Sequence, residues 1–475
     1  MLPDLGLLKI ELLICALIGL IFIVDLCSDK KEILKAIAIL GSFGAFVFSF
    51  FFKDTGAAFS GAYISDSLSG FFKILLLLNL FLVIAASLGY LKKNPRYTAE
   101  YFILLLSAAL GMLLMVSSQN LIAFYVSLEL LSISSYILSA HQKSNPRSTE
   151  AGIKYLLLGG MASGILLFGI SLIYGLSGAI GFREIAQVIS ASSPPALFYI
   201  GLVFILAALS FKIAAVPFHM WVPDVYEGAP TPVAAFFSVG TKMAGFAVLI
   251  RLFLAAFGSL KLEWGMFMVV LSAATMIIGN LLAIPQTNIK RLMGYSSIAQ
   301  AGYILIGLAM ASFNGISASL FYLLAYLFSN LCAFTVIIIF SQKTKSDNID
   351  DYRGLYRRSP VLALALLIAF MSLGGVPPLV GFMGKLYLFF CAVENGFTWL
   401  VVIGVLMSVV SIYYYLMVLK RVYIEAPEDG SAINISFWEK FVLYTCVLGT
   451  VIFGLFPHIV FNYISRAAHV FLSSL

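Results

Sequence analysis

Charge is scarce in this chain of 475 residues: Asp, Glu, Lys and Arg together make up 11% of it, whereas 61% is hydrophobic. A soluble domain carries roughly a quarter charged residues. The composition therefore excludes a soluble globular protein and indicates a membrane protein. At about 20 apolar residues per crossing, the length has room for around a dozen or more membrane-spanning helices.

Cofactor-binding motifs are also missing. The cysteines contain no CxxC pair that would hold zinc or an iron–sulfur cluster, and they are far apart, at Cys15, Cys27, Cys332, Cys391 and Cys446. The chain has no GxGxxG fingerprint, no Walker A sequence and no HExxH motif. These absences predict no nucleotide, metal or redox cofactor on this chain, so that any redox chemistry belongs to partner subunits.

Apolar runs separated by polar or Gly- and Pro-containing loops predict an all-α polytopic membrane protein of about fourteen transmembrane helices. The first run has no basic region before it and no evident cleavage site, so we interpret it as a span and not as a signal peptide. The runs lie near 7–26, 34–52, 70–91, 100–117, 120–140, 153–176, 197–217, 230–257, 263–284, 292–311, 316–341, 359–392 (interrupted), 398–419 and 438–461.

The net charge of +7 comes from basic residues scattered through short loops, a distribution that disfavours nucleic-acid binding and sets membrane orientation. Loops after odd-numbered helices hold about four times as many Lys and Arg as loops after even-numbered helices and the C-terminal tail. The basic residues of this second group are Lys53, Arg183, Lys261 and, on the tail, Arg466. The bias predicts a multi-pass protein of the bacterial inner membrane, with odd loops in the cytoplasm and both termini outside.

Two predicted spans are interrupted, by Pro217 in the first and by Gly374 to Pro378 in the second. Proline removes a backbone donor and glycine loosens the chain, so both helices should break at membrane depth, where protein or water must satisfy the freed groups. The breaks recur at corresponding places in helices 4–8 and 9–13, which predicts two inverted five-helix repeats of the transporter kind. This organisation divides the chain into four segments: helices 1–3 at 1–99, the first half at 100–257, the second half at 263–419, and the last helix with the tail at 438–475.

Four charged side chains lie deep in the predicted spans: Glu129 and Lys242 are central, while Lys212 and Lys385 flank the breaks. Charge at that depth costs several kcal/mol unless it faces water or a partner. The alternative for each is a structural ion pair or a snorkelling lysine. We favour a proton path because four central charges exceed what packing needs, and we expect anchoring near helix ends for Lys9, Lys35, Lys73, Lys154 and Arg251.

Buried lysine suits proton transfer, because desolvation disfavours an ammonium and a nearby carboxylate favours it again. His219, just past the first break, either passes protons near neutral pH or caps a broken helix end. Gln300 belongs to a polar stretch with Ser296, Ser297 and Tyr303. That stretch lines a hydrated path in our preferred interpretation, and makes inter-helix hydrogen bonds in the plainer one.

Several stretches resemble known proteins. Lys212–Pro232 (KIAAVPFHMWVPDVYEGAPTP) is similar to the signature shared by antiporter-like subunits of respiratory complex I and by multi-subunit cation/proton antiporters. The similarity narrows to the subunit N family, called subunit 2 in organelles, through EAGIKY at 150–155, SVGTKMAGF at 238–246, TNIKRLMGYSS at 287–297 and GGVPPLVGFMGK at 374–385.

The resemblance implies a fourteen-helix subunit that couples quinone reduction elsewhere in NADH:quinone oxidoreductase to proton transfer, beside antiporter-like paralogues. FMN, iron–sulfur clusters and quinone would belong to partner subunits. By motif match, Glu129 and Lys212 form the coupled pair, Lys242 is the central relay, Lys385 faces the exit and Lys154 is a further family lysine.

One position departs from the family pattern. Gln300 stands where the family usually has histidine, and glutamine does not titrate. Lys212 and Lys385 are corresponding lysines about 170 residues apart. The same interval carries Glu129 to the neighbourhood of Gln300, so the second half has an amide where the first has an acid.

Two other functions were weighed against a complex I subunit. The first is a subunit of a multi-subunit Na+(K+)/H+ antiporter, a complex that would contain no redox centre. The second, a solitary transporter of an organic solute, is disfavoured because the sequence shows no distinct substrate pocket.

Overall fold

The fold is seen in a computed structural model that describes residues 5–28, 30–52, 54–93, 95–191, 194–427 and 430–474. Lys53 and the terminal residues Met1 and Leu475, on which parts of the orientation argument rest, lie outside these ranges. The described chain is almost entirely helical, with one two-stranded antiparallel hairpin formed by β1 (Gly56–Ala58) and β2 (Tyr63–Ser65).

The helices are α1 (Lys9–Cys27), α2 (Lys31–Phe51), α3 (Ser67–Lys93), α4 (Thr98–Val116), α5 (Leu121–Ser139), α6 (Pro146–Ser177), α7 (Phe182–Ala191), α8 (Ala196–Ile213), α9 (Trp221–Gly228), α10 (Thr231–Phe236), α11 (Lys242–Ala255), α12 (Lys261–Ala283), α13 (Ile289–Ala309), α14 (Phe313–Thr344), α15 (Leu355–Arg358), α16 (Pro360–Gly374), α17 (Val380–Glu394), α18 (Thr398–Tyr423), α19 (Phe437–Leu455) and α20 (His458–Ser473).

Within the described ranges, 13 helices are long and apolar enough to cross a membrane. The remaining predicted span, 359–392, is the second interrupted one, and its two halves are α16 and α17, of 15 residues each. The prediction of about fourteen crossings with two broken helices is therefore confirmed. The last run, 438–461, is corrected: α19 ends at Leu455, and after Pro457 the tail forms the separate helix α20.

The two halves share close helix contacts as well as helix order. A Cβ added at Gly111 on α4 would lie 2.6 Å from the Leu131 amide nitrogen on α5. Gly279 on α12 meets the Ala299 amide nitrogen on α13 at the same 2.6 Å. The two pairs have identical spacing along the chain, so they fix the register between the halves. The finer division of the chain into four segments stays a prediction.

Both breaks have the same backbone form. The residue that follows each helix is in the left-handed region: Ala214 after α8, at φ 64°, and Gly375 after α16, at φ 88°. Each turn is followed by a cis bond to proline, Val216–Pro217 in the first and Pro377–Pro378 in the second. The left-handed residue lets backbone amides beyond the helix pair with carbonyls of its last turn, since Ala215 donates to the Ser210 carbonyl and Val376 to the Met371 carbonyl. At the second break, two further carbonyls of the last turn accept hydrogen bonds from side chains.

Candidate functional site

Lys212 lies in the last turn of α8, on the arm before the first break, with 4% of its surface exposed. Its Nζ donates to the Ser132 hydroxyl at 3.1 Å, and that hydroxyl donates to the Leu128 carbonyl at 2.7 Å. Glu129, half-buried on the same helix as Ser132, accepts a hydrogen bond from Ser163 on α6. Glu129 and Lys212 make no direct ion pair, so Ser132 holds the lysine one turn away from the carboxylate.

The caps of the first break come from residues that the sequence did not single out. The Val216 amide donates to the Thr275 hydroxyl at 3.0 Å, and Trp221 Nε1 donates to the Phe211 carbonyl at 3.0 Å. His219 is half-buried, and its Nδ1 has no partner within the described ranges. Thr275 and Trp221 therefore bind backbone groups at this break, and both roles considered for His219, proton relay and helix cap, stay predictions.

Lys242 begins α11 directly after a π-helical turn, Phe237–Thr241. The side chain is 1% exposed, and its Nζ donates to the backbone carbonyl of Ser297 on α13. The predicted span over 230–257 is found as one helix, Thr231–Ala255, which contains this π turn. Such turns are frequent at functional sites, but no proline marks this one, so the hydropathy pattern gave no signal for it.

Gln300 and Lys385 bind neighbouring carbonyls at the second break. Gln300 is fully buried; its Nε2 donates to the Leu373 carbonyl at 3.1 Å, and its amide oxygen accepts from the Tyr322 hydroxyl. Lys385 Nζ donates to the Gly374 carbonyl at 3.0 Å. Gln300 thus makes inter-helix hydrogen bonds, the plainer of its two interpretations.

Lys385 lies on α17, the helix after the second break, and contacts side chains on two other helices. Its Nζ donates to the Ser408 hydroxyl at 3.1 Å and lies 4.3 Å from the centre of the Tyr303 ring. Ser408 in turn donates to the Tyr303 hydroxyl at 3.1 Å. A cation over an aromatic face is stabilised without a counter-charge. The surroundings of this lysine are therefore polar but neutral.

Carboxylate partners separate the buried cations into two groups. Seven Lys and Arg side chains of the described chain are buried. Four of them pair with a carboxylate, as Lys35–Glu32, Lys73–Glu11, Arg251–Asp66 and Lys290–Asp347. The other three have no carboxylate within 4.0 Å in the described ranges, and they are Lys212, Lys242 and Lys385. The structural ion pairs considered as an alternative for these three lysines are thus not found.

The prediction that Lys73 and Arg251 are interfacial anchors near helix ends is corrected, because both side chains are buried in ion pairs. Lys73 Nζ lies 2.8 Å from Glu11 Oε1, with both side chains at most 3% exposed, and it donates to the Tyr63 hydroxyl at 2.6 Å. Arg251 binds both carboxylate oxygens of Asp66, at 2.9 and 2.8 Å. These cations fasten helices to one another because their partners, remote in the sequence, fold against them.

Lys154 belongs to a partly exposed ionic network. Its Nζ lies 2.7 Å from Asp224 and 2.8 Å from Glu150, and Asp224 also binds Arg291 at 2.7 Å. Burial alone would raise the pKa of Asp224, but hydrogen bonds from Lys154 and Arg291 outweigh it and hold the pKa below its usual value. The network lines a polar surface cavity of about 180 Å³. No group of three His, Cys, Asp or Glu suited to a metal occurs among the described residues.

The fold and the buried lysines together define an antiporter-like membrane subunit, with two five-helix halves that each contain a broken helix. Residues 118–411 match the family model described as NADH:quinone oxidoreductase/Mrp antiporter, TM, and residues 8–117 match NADH-ubiquinone oxidoreductase chain 4, amino terminus. The chain is 45% identical to NADH-quinone oxidoreductase subunit N of Desulforamulus reducens, over 88% of both proteins. It belongs to the NADH-quinone oxidoreductase subunit N family.

Solved structures agree with this assignment. A chain of respiratory complex I from Thermus thermophilus with bound Aureothin aligns with a TM-score of 0.80 and 31% identity, covering 96% of this chain and 99% of that one. A chain of the Mrp complex from Dietzia sp. aligns with a TM-score of 0.83 but only 20% identity, over 97% of both chains. The second likeness shows a common fold alone, so identity favours the oxidoreductase family over the antiporter.

Proposed function

We propose that this chain is a proton-translocating membrane subunit of an NADH:quinone oxidoreductase, driven by quinone reduction on partner subunits. Three lysines buried without a carboxylate carry the proposal, because the other buried cations of the described chain are all ion-paired. An ion pair that only fastens helices needs its counter-charge beside it. A group that gains and releases a proton needs neutral surroundings whose field can be changed.

The proposed path uses the four charged residues in order. Glu129 sets the field at Lys212 across Ser132, Lys242 is the central relay, and Lys385 passes the proton on beyond the second break. A carboxylate that moves to 4 Å changes the energy of an ammonium by about 4 kcal/mol at an effective dielectric constant near 20. That is about a thousandfold in the protonation equilibrium, enough to load and unload a lysine.

Three further residues support the path. Lys154 holds Asp224 at one mouth of the first half, and His219 serves as a relay near the first break. Gln300 does not titrate; it holds α13 against the carbonyl that α16 exposes, while protons pass it through water. The chain's own groups therefore take, hold and release protons.

Redox chemistry is assigned to partners. FMN, iron–sulfur clusters and quinone would be held by other subunits, and antiporter-like paralogues would lie beside this chain in the bilayer. The excess of basic residues in odd-numbered loops supports an inner-membrane protein with those loops in the cytoplasm and both termini on the outer side.

The membership part of the proposal is tested by purifying the complex through a tag on this chain and identifying its subunits by mass spectrometry, with flavin and iron measured in the same sample. We expect flavin, iron and NADH-oxidising subunits to co-purify. A complex with antiporter subunits but neither flavin nor iron would contradict the proposal and favour a cation/proton antiporter.

A further inference from the structure

The hydroxyl group of Tyr136 occupies a notch where α5 and α6 cross. A Cβ added at Gly159 on α6 would overlap the hydroxyl oxygen and lie 2.5 Å from Cζ of the tyrosine. The tyrosine side chain is 7% exposed. Any side chain at position 159 would displace the ring, so the glycine determines where this buried hydroxyl lies.

Two serines lie next to the hydroxyl, one on each helix. Ser132 is one turn before Tyr136 on α5, and Ser163 is one turn after Gly159 on α6. The Tyr136 hydroxyl interacts with both serine side chains. A phenol can donate one hydrogen bond while it accepts another, so a single tyrosine can join the two serines.

These two serines are the ones that bind the coupled pair. Ser132 accepts a hydrogen bond from Lys212 Nζ at 3.1 Å, and Ser163 donates to the Glu129 carboxylate. With the Tyr136 hydroxyl between them, three hydroxyl groups form a row from the ammonium to the carboxylate. The separation of Lys212 and Glu129 therefore depends on the tyrosine as well as on the two serines.

The ring of Tyr136 is also connected to the first break. It packs edge-on against Tyr155 on α6, with ring centroids 4.9 Å apart, and Tyr155 stacks on Trp221 at 4.4 Å. Trp221 Nε1 donates to the carbonyl of Phe211, the residue before Lys212. Rigid aromatic rings thus connect Tyr136 to the broken helix that carries the lysine.

We propose that Tyr136 is a positioning residue for proton transfer: its hydroxyl joins Ser132 to Ser163 and so holds Lys212 and Glu129 at a fixed separation. The inference rests on the proposed function, because the separation matters only if the carboxylate controls the protonation of the lysine. The interaction of two charges depends on their distance, and more strongly in a low-dielectric interior than in water. A phenylalanine would fill the same space but leave the two serines unlinked.

Proton pumping by the reconstituted complex tests the role of the hydroxyl. We expect Tyr136→Phe to assemble normally and to pump between about two- and tenfold more slowly, the range expected for losing one neutral hydrogen bond. Tyr155→Phe is the matched control, because its ring touches that of Tyr136 and its buried hydroxyl has no hydrogen-bond partner within the described ranges. This control should pump at the wild-type rate.

A solvent isotope effect separates positioning from folding. A variant that only folds less well loses active complexes, which lowers the pumping rate in H2O and in D2O by the same factor. A misplaced pair instead makes proton transfer at Lys212 the slow step. We therefore expect the ratio of the two rates to rise above the wild-type ratio in Tyr136→Phe and to stay unchanged in Tyr155→Phe.

Gly159→Ala tests the same claim without removing the hydroxyl. The added methyl would push the end of the Tyr136 ring out of its notch, so pumping should slow and the isotope ratio should rise. Gly175→Ala on the same helix is the control, since nothing lies within 4 Å of a Cβ there. Wild-type pumping or a wild-type isotope ratio in Tyr136→Phe and Gly159→Ala would overturn the positioning role alone, whereas wild-type pumping by Lys212→Met would overturn the proposed function.

Discussion

Ser132 and Gln300 occupy corresponding positions in the two halves of the molecule. The contacts Gly111–Leu131 and Gly279–Ala299 set the register, and Ser132 and Gln300 each lie one residue beyond the contacted position. In this register, the counterpart of Glu129 is Ser297, whose carbonyl binds Lys242. The first half thus has a carboxylate where the second has a serine, one helical turn before Gln300 and in the neighbourhood that the sequence offset predicts.

Gln300→His should be tolerated. Either ring nitrogen can donate to the Leu373 carbonyl or accept from the Tyr322 hydroxyl, which are the two bonds that the amide makes now. Gln300→Leu leaves both groups buried and unsatisfied, at about 1–3 kcal/mol each. Assembly and quinone reductase activity in isolated membranes measure the difference. Failure of the histidine variant to assemble would show that the site requires the amide shape.

Gly279→Ala should destabilise the contact between α12 and α13. The added methyl would lie 2.6 Å from a backbone nitrogen that cannot move aside cheaply, at an estimated cost of about 1–3 kcal/mol. The thermal midpoint of the detergent-solubilised complex measures the effect. Gly164→Ala is the control, because nothing lies within 4 Å of a Cβ there, and alanine favours the helix by up to about 1 kcal/mol. Equal midpoints in both variants would contradict the packing argument.

Arg251→Ala should weaken the attachment of α11 to α3. It removes the bidentate bond to Asp66 and the bond from Nε to the Val116 carbonyl at 3.1 Å, leaving a carboxylate only 16% exposed. Breaking such a pair costs about 3 kcal/mol or more. Lys9→Ala removes an exposed pair with Asp54 and should change little. A thermal midpoint for Arg251→Ala equal to that of the control would refute the fastening role.

Asp224 should make the stability of the complex pH-dependent at the acid end. Its pKa is lower in the folded chain than in the unfolded one, so the stabilisation is complete above about pH 4 and disappears as the pH falls through the folded value. The thermal midpoint should therefore differ between wild type and Asp224→Asn near neutrality and converge in acid. A difference that grows as the pH falls would have the wrong sign.

Much of the architecture follows from the sequence, because a membrane imposes few alternatives. Long apolar runs must be helices in a bilayer, and Pro217 and Pro378 mark the breaks. The central charges were recognisable for the same reason, since Lys212, Lys242 and Lys385 are costly in hydrocarbon unless they have a function.

The remaining features depend on contacts between distant parts of the chain. No feature of the sequence near Lys73 indicates that Glu11, on another helix, is its partner. The sequence therefore predicts an interfacial anchor at Lys73 where the structure has a buried ion pair. The π turn before Lys242 arises inside an ordinary apolar run, and the register that aligns Glu129 with Ser297 depends on glycine contacts. The proton-transfer roles of the site residues stay predictions, and the residues are Glu129, Lys212, Lys242, Lys385, Lys154, His219 and Gln300.

Proton pumping by Lys212→Ala, compared with the double variant Glu11→Gln/Lys73→Met, is the most direct test of the central claim. The account predicts that the Lys212 complex assembles but loses pumping and coupled quinone reduction, as Glu129→Ala should also do. The double variant, which removes a paired lysine together with its carboxylate, should keep the wild-type ratio of protons to electrons. Wild-type pumping by Lys212→Ala would contradict the claim that the unpaired lysines carry the protons.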